Sequence, residues 1–450
     1  MQGSWRALRS VGLATSVAIG GLMALSAPGY AQVAPNAPFQ VDPLKYDMGP
    51  LGDWKLSGGV DGWAAGWTNS NSYTGSSGFP THGGDVWGGV SVDNALLRVQ
   101  GSKGPFGFDV WVGVPPQSPV MGYTSTNVGP NLHELGTDEN PWGHQDPLFK
   151  GYVTFAPVKW LQLDAGRLSS PDGTEIGVDF MNPTVFLSDL NNMQTTTATG
   201  AEVDFINPAT SGILPHYGST LSVMIRQGYH TSGDFGELGF VGLWNLNKDG
   251  TDAIVAFGHT RLHPYRGFDR VAGFGTINSN LVGIGAFYTV GKWLFNPEVE
   301  EQWLPSNYQS DDNKSFYGNI AAQLTATYQI NSQWSVSGQI QYIHEQGNKY
   351  LPNAEAYGDY LGLNVGPCGG CFGPGADMLG LQVDAAWQYR NLFVRPAVSY
   401  THLANFIPGN AYGASGNSPD QFVAILQVGW LIGTSNVGVP AIKKAVTAKY

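Results

Sequence analysis

The residues best placed to do chemistry are charged ones that recur two apart or gather in long segments. Glu298 and Glu300 stand two apart, so on an extended strand both carboxylates point the same way. Segment 169–197 carries Asp172, Glu175, Asp179 and Asp189 beside Val178, Phe180, Met181, Val185, Phe186 and Leu187. A loop in water rarely holds that many apolar side chains. Folding inward against a wall would bury them and carry the four acids along. The opposite sign gathers at His259, Arg261, His263, Arg266 and Arg270. This is either a solvated basic loop, one that binds lipopolysaccharide phosphates, or the basic side of a passage whose other side is acidic. Opposed charges of that kind would screen solutes by charge and dipole.

Reaction chemistry has little support. The chain has no G-x-S-x-G elbow, no G-x-x-x-x-G-K-[ST] loop and no H-E-x-x-H frame. Asn247-Lys248-Asp249-Gly250 is a hairpin turn, and Ser310-Asp311-Asp312-Asn313 a solvated loop tip. Cys368 and Cys371, in Pro-Cys-Gly-Gly-Cys, could be a redox pair. That use needs a helix N-terminus, and these sit in a Gly/Pro loop, so a local disulfide is expected. No cofactor and no metal is expected.

The elements that must position these residues are strands. Of 450 residues only 12% are charged, another 12% are aromatic, and 62 are Gly. Such a chain is not disordered, and a net charge of −12 argues against a nucleic-acid partner. Residues 1–31 read as a secretory signal. Arg6 and Arg9 precede the apolar run Val11–Leu25, and Gly29-Tyr30-Ala31 supplies a cleavage site. Beyond it no apolar stretch is long enough for a membrane helix. Residues 32–53 read as a Pro-containing, mobile lead-in, and 54–450 as the main domain.

Period-2 alternation dominates that domain. Ile320, Ala322, Leu324, Ala326, Tyr328 and Ile330 share one face, against Asn319, Gln323, Thr325, Thr327 and Gln329 on the other. Sixteen strands are predicted, over 54–67, 86–100, 105–114, 147–157, 159–168, 198–206, 217–229, 237–246, 251–260, 280–290, 292–304, 315–330, 332–346, 377–390, 392–403 and 420–432. Many have the length a tilted strand needs to cross a bilayer, about 9–11 residues. Connections alternate between short turns and long polar loops, which a soluble sandwich has no reason to sort by side. Tyr288, Trp293, Tyr328, Trp334, Trp387 and Tyr389 all flank short turns, as an interfacial aromatic girdle would. Residues 433–450 are either a tail or an addition to the barrel.

The stretch Asp164–Leu168, then Gly173-Thr174-Glu175, Asn182, Ser188 and Thr199-Gly200, resembles the OmpL-like β-barrel porin-2 family. The resemblance implies an outer-membrane porin of incompletely known substrate.

The expected fold is therefore all-β, a transmembrane antiparallel up-and-down barrel of about 16 strands in a bacterial outer membrane. A barrel of that size leaves an aqueous channel. Its expected function is passive diffusion of small hydrophilic solutes and ions, without catalysis. Lipopolysaccharide and a homo-oligomer, a trimer by analogy, are its expected partners. Parity sends Lys55, Arg98, Lys150, Arg226, Arg390 and Arg395 to the lumen. It sends Asp61, Asp109, Asp164, Glu202, Asp204, Glu298, Glu300, Glu345 and Asp384 there too. Acids outnumber bases, so a weak cation preference is expected. The pore-lining set is Asp172, Glu175, Asp179, Asp189, Glu298, Glu300, Arg98, Arg226, Arg261, Arg266, Arg270, Asp384 and Arg390. The rival readings are a barrel enzyme of lipase or protease type, or a channel specific for one solute.

Overall fold

The computed structural model describes residues 39, 41–69, 88–114, 119, 121, 148–170, 172–188, 190, 194, 197–207, 217–227, 235–247, 251–262, 280–303, 318–346, 375–406, 408, 411–413 and 415–434. The signal segment 1–31, Cys368 and Cys371 with their expected disulfide, and residues 435–450 lie outside them.

Side-chain burial along the strands settles what kind of sheet this is. In Gly318–Gln329 the polar positions Gln323 and Thr325 are 5% and 3% exposed, while Ile320 and Leu324 are 41% and 40% exposed. The apolar face looks outward and the polar face inward. A soluble sandwich does the reverse; a barrel in lipid requires this arrangement. The order of elements follows. A short β1 (Leu44–Asp47) precedes β2 (Asp53–Trp67), β3 (Gly88–Lys103), β4 (Phe106–Val114), β5 (Leu148–Val158) and β6 (Leu161–Ser169). Then come β7 (Thr197–Asn207), β8 (Ser219–Arg226), β9 (Glu237–Asn245), β10 (Ala253–Arg261), β11 (Asn280–Val290) and β12 (Trp293–Trp303). The chain finishes with β13 (Gly318–Gln329), β14 (Trp334–Gln346), β15 (Asp377–Tyr389), β16 (Leu392–Ala404) and β17 (Asp420–Gly433).

From β2 onward each strand pairs antiparallel with its sequence neighbour, and β17 pairs back on β2 from Val423↔Trp67 to Trp430↔Val60. Sixteen strands thus close without a free edge. The closing strand runs to Gly433, so the barrel is complete before residue 435. One strand was not foreseen. β1, inside the lead-in 32–53, pairs with the foot of β2 from Leu44↔Leu56 to Asp47↔Asp53, the stretch β17 does not reach. A lead-in expected to be mobile is in this part fixed. Phe39 is fully buried and stacks on Phe393 with ring centroids 4.2 Å apart.

Short turns close one end. Gly291 adopts φ 60° in a two-residue turn, where a left-handed residue matches the strand twist, and Arg390 does the same at φ 55°. Beside these turns the aromatic positions meet across strands: Trp293 lies 4.8 Å from Tyr328, and Trp334 lies 6.3 Å from Trp387. These rings form the expected belt at the short-turn end.

Candidate functional site

The segment between β6 and β7 turns into the barrel. Of its described residues from Asp172 to Ser188, all but Gly177 are buried. Its contacts reach strands on every side. At its root Asp172 accepts from Arg226 of β8 at 2.8 Å and meets His259 Nδ1 of β10 at 3.0 Å. The Thr174 hydroxyl bonds Glu298 of β12. Gln339 of β14 donates to Glu175 at 2.7 Å. Further on, Val185 N–H donates to Asp384 of β15 at 2.7 Å, and Arg395 of β16 donates to the Asn182 carbonyl at 2.9 Å. Asn94 of β3 donates to Asp179 at 2.8 Å, and Gln427 of β17 bonds the same carboxylate. A segment rooted between β6 and β7 that bonds β12, β14, β15, β16, β17 and β3 crosses the lumen.

The loop braces itself before it touches the wall. Glu175 accepts from the Ser188 N–H at 2.9 Å and from its hydroxyl at 2.6 Å. The Asn182 side chain accepts from Ile176 N–H at 2.9 Å and donates back to the Ile176 carbonyl. Gly173 has φ 78°, and a Cβ there would sit 1.8 Å from the Gln194 amide oxygen. At Gly200 a Cβ would lie 2.3 Å from the Ile225 carbonyl of β8. Each quoted residue of the resemblance from Gly173 through Gly200, Thr199 aside, therefore has a mechanical reason. The apolar run does as expected: Val178, Phe180, Val185 and Phe186 are 0–1% exposed, packed against Leu96, Trp111, Phe393, Trp63 and Trp67.

The charges are sorted. Arg98 pairs with Asp109 through two bonds, 2.9 and 2.6 Å, and lies 4.7 Å over Trp111. Arg226 bridges Asp172 and Glu237, and Arg395 stands 3.8 Å from Asp179. Glu298 and Glu300 are instead held by neutral donors: Gln194 reaches them at 2.8 and 2.7 Å, and Gln323 reaches Glu298 at 3.1 Å. Burial would raise the Asp172 carboxyl, but Arg226 and His259 overcome it and hold it well below the usual carboxylate range. Burial pushes Glu175 up to about 7, and the nearby Glu298 adds to the push against the Ser188 and Gln339 hydrogen bonds.

Asp172, Glu175, Asp179, Glu298, Glu300, Arg226 and Asp384 thus come together around one loop. Arg98 stays on the wall, and Arg261 ends β10 opposite Glu237. Arg390 needs correction: it is exposed on the β15–β16 turn, with its guanidinium 5.4 Å over Tyr389, and does not line the lumen. Strand parity stops at a residue whose φ has turned positive. Asp189, Arg266 and Arg270 lie outside the described residues. The sequence-derived set omitted the neutral amides Asn94, Gln194, Gln339, Gln382 and Gln427; Arg395, sent to the lumen by parity, also reaches the loop. A run of inward-parity Gln on neighbouring strands was the signal for them.

The model of the beta-barrel porin-2, OmpL-like family matches residues 53–431. The chain belongs to this family. It is an outer-membrane β-barrel of porin type, as the outward apolar face and aromatic belt require. No curated protein matches it. Among solved structures, the anion-selective porin from Comamonas acidovorans aligns at 9% identity and TM-score 0.48, over 84% of this chain and 99% of that one. The outer membrane channel DcaP of Acinetobacter baumannii aligns at 11% and 0.47, over 87% and 100%. OmpT of Vibrio cholerae aligns at 9% and 0.47, over 86% and 100%.

Proposed function

We propose that this porin-family barrel passes small hydrophilic solutes and ions by diffusion, with a weak preference for cations. The observation that carries the reading is the loop between β6 and β7, tied to walls on both sides of the lumen. It sets the narrowest point, and selectivity arises there from fixed charges. The arginines at the constriction are spent in pairs with Asp172, Glu237 and Asp179, while Glu298 and Glu300 face neutral donors. The residual field is negative and favours cations. At the long-loop rim, Tyr342 and His344 meet Asp377, and Tyr400 and His402 meet Asp420, at 2.5–2.8 Å. These half-exposed polar clusters suit contact with lipopolysaccharide headgroups, and subunit association as a trimer belongs to the same reading.

Planar-bilayer recording tests it. Deleting 176–192 should raise single-channel conductance, and unchanged conductance would remove the loop from the constriction. Reversal potentials in a KCl gradient should show cation preference. That preference should weaken in Glu298→Gln with Glu300→Gln; anion preference in the unaltered protein would overturn the charge argument.

A further inference from the structure

Away from the loop, three carboxylates stand together on the inner wall near the short-turn end. Asp164 on β6 pairs directly across from Glu202 on β7, and Asp204 follows on the same face of β7. Each offers an oxygen within 4.8 Å of those of the other two. The residues are 6%, 2% and 0% exposed. Asp164 Oδ1, Glu202 Oε2 and Asp204 Oδ2 are buried and have no hydrogen-bond partner. The second oxygens of the aspartates are used: Gln162 donates to Asp164 Oδ2 at 2.8 Å, and Ser222 donates to Asp204 Oδ1 at 2.5 Å. Lys150 is the neighbouring base, but its Nζ donates to Ser169 at 2.6 Å and lies over the rings of Trp111 and Tyr152. Among the described residues no ion pair joins a base to these three acids.

We propose that Asp164, Glu202 and Asp204 bind a divalent hard cation, Ca²⁺ by preference, on the wall of the lumen. Ionised, three carboxylates held this close would repel one another, and a buried oxygen without a partner is costly. A dication answers both at once. Ca²⁺ takes oxygen ligands at about 2.3–2.6 Å, so two oxygens on one ion stand at most about 4.6–5.2 Å apart. The three oxygens, within 4.8 Å of one another, lie close to that span, and small side-chain rotations bring all three onto one ion. Ca²⁺ accepts an irregular ligand set and completes it with water, here from the lumen, whereas Mg²⁺ demands a near-ideal octahedron. A second acidic group, Asp61, Asp93 and Asp179, has similar spacing. There Gln427 and Asn94 already donate to the carboxylates, and Arg395 stands 3.8 Å from Asp179. That group has a guanidinium in contact; the β6–β7 group has only the more distant charge of Lys150, whose ammonium is bonded to Ser169. A bound ion would cut the negative field along this wall and lower the cation preference of the pore.

The test uses the full barrel purified in detergent, stripped with EDTA and titrated with CaCl₂ by calorimetry and thermal melting. The expected result is saturable binding of one ion per chain, with a melting temperature that rises with Ca²⁺ concentration. Glu202→Gln on β7 and Asp164→Asn on β6 are made separately, so one folded variant suffices. Heat-modifiable migration confirms closure. Either variant should lose the Ca²⁺ response, and Ca²⁺ should shift the reversal potential of the unaltered channel but not of the variant. No heat and no melting shift in the unaltered barrel would overturn the proposal. So would a Ca²⁺ response that persists in a folded variant, or one that is lost only in Asp61→Asn.

Discussion

At the residue scale the constriction depends on which carboxylates stay ionised. Asp172 remains charged across the physiological range because Arg226 and His259 hold it so. Glu175 titrates near neutrality, at about 7, because it is buried. Above that pH it adds a negative charge to the loop; below it the charge is gone. Cation preference should therefore fall as pH drops from 8 to 6, and Glu175→Gln should flatten that profile in reversal-potential measurements. The same shift acts on stability. Between the ordinary value of 4.5 and about 7 the folded chain holds a proton that the unfolded chain releases, so stability declines as pH rises through that window. Arg226→Met is a different case. It leaves Asp172 and Glu237 buried without their guanidinium. Breaking such a pair costs about 3–5 kcal/mol. Guanidinium-chloride unfolding in detergent should show a loss of that size, and a change within about 0.5 kcal/mol would contradict the pairing.

At the element scale, Gly173 decides how the loop enters the lumen. Gly173→Ala places a methyl where the Gln194 amide sits and strains a positive φ. Gln194 must then leave Glu298 and Glu300. We expect larger current noise and altered conductance with the barrel still closed; a channel identical to the parent would exclude Gly173 as the hinge of the loop. The sequence made much of this element legible. The apolar residues of the loop predict an inward fold, because water does not satisfy them, and the acids are carried along. Strand positions were equally legible, because lipid outside and water inside impose period 2 along most of each strand. Legibility failed where a residue leaves that period. Arg390 was assigned to the lumen by counting through a turn, and β1 was missed because four residues carry no recognisable alternation. The wall amides were overlooked because uncharged Gln gives no electrostatic cue. Their role emerges only when the loop is found lying against them.

At the scale of the whole molecule, the segment before the first barrel strand meets the end of the last one. Val41 N–H donates to the Thr434 hydroxyl at 2.9 Å, and Thr434 N–H donates to the Val41 carbonyl at 2.8 Å. Residues 393 positions apart thus share one pair of hydrogen bonds beside the seam of β2 and β17. A circular permutant that joins Thr434 to Phe39 through a short Gly/Ser linker, and opens instead at Gly291-Lys292, should refold to a barrel with the parent's conductance. The same protein could then present new termini at the opposite side of its circumference. Failure to close, seen as loss of heat-modifiable migration, would show that the native start and finish carry folding information beyond their contacts.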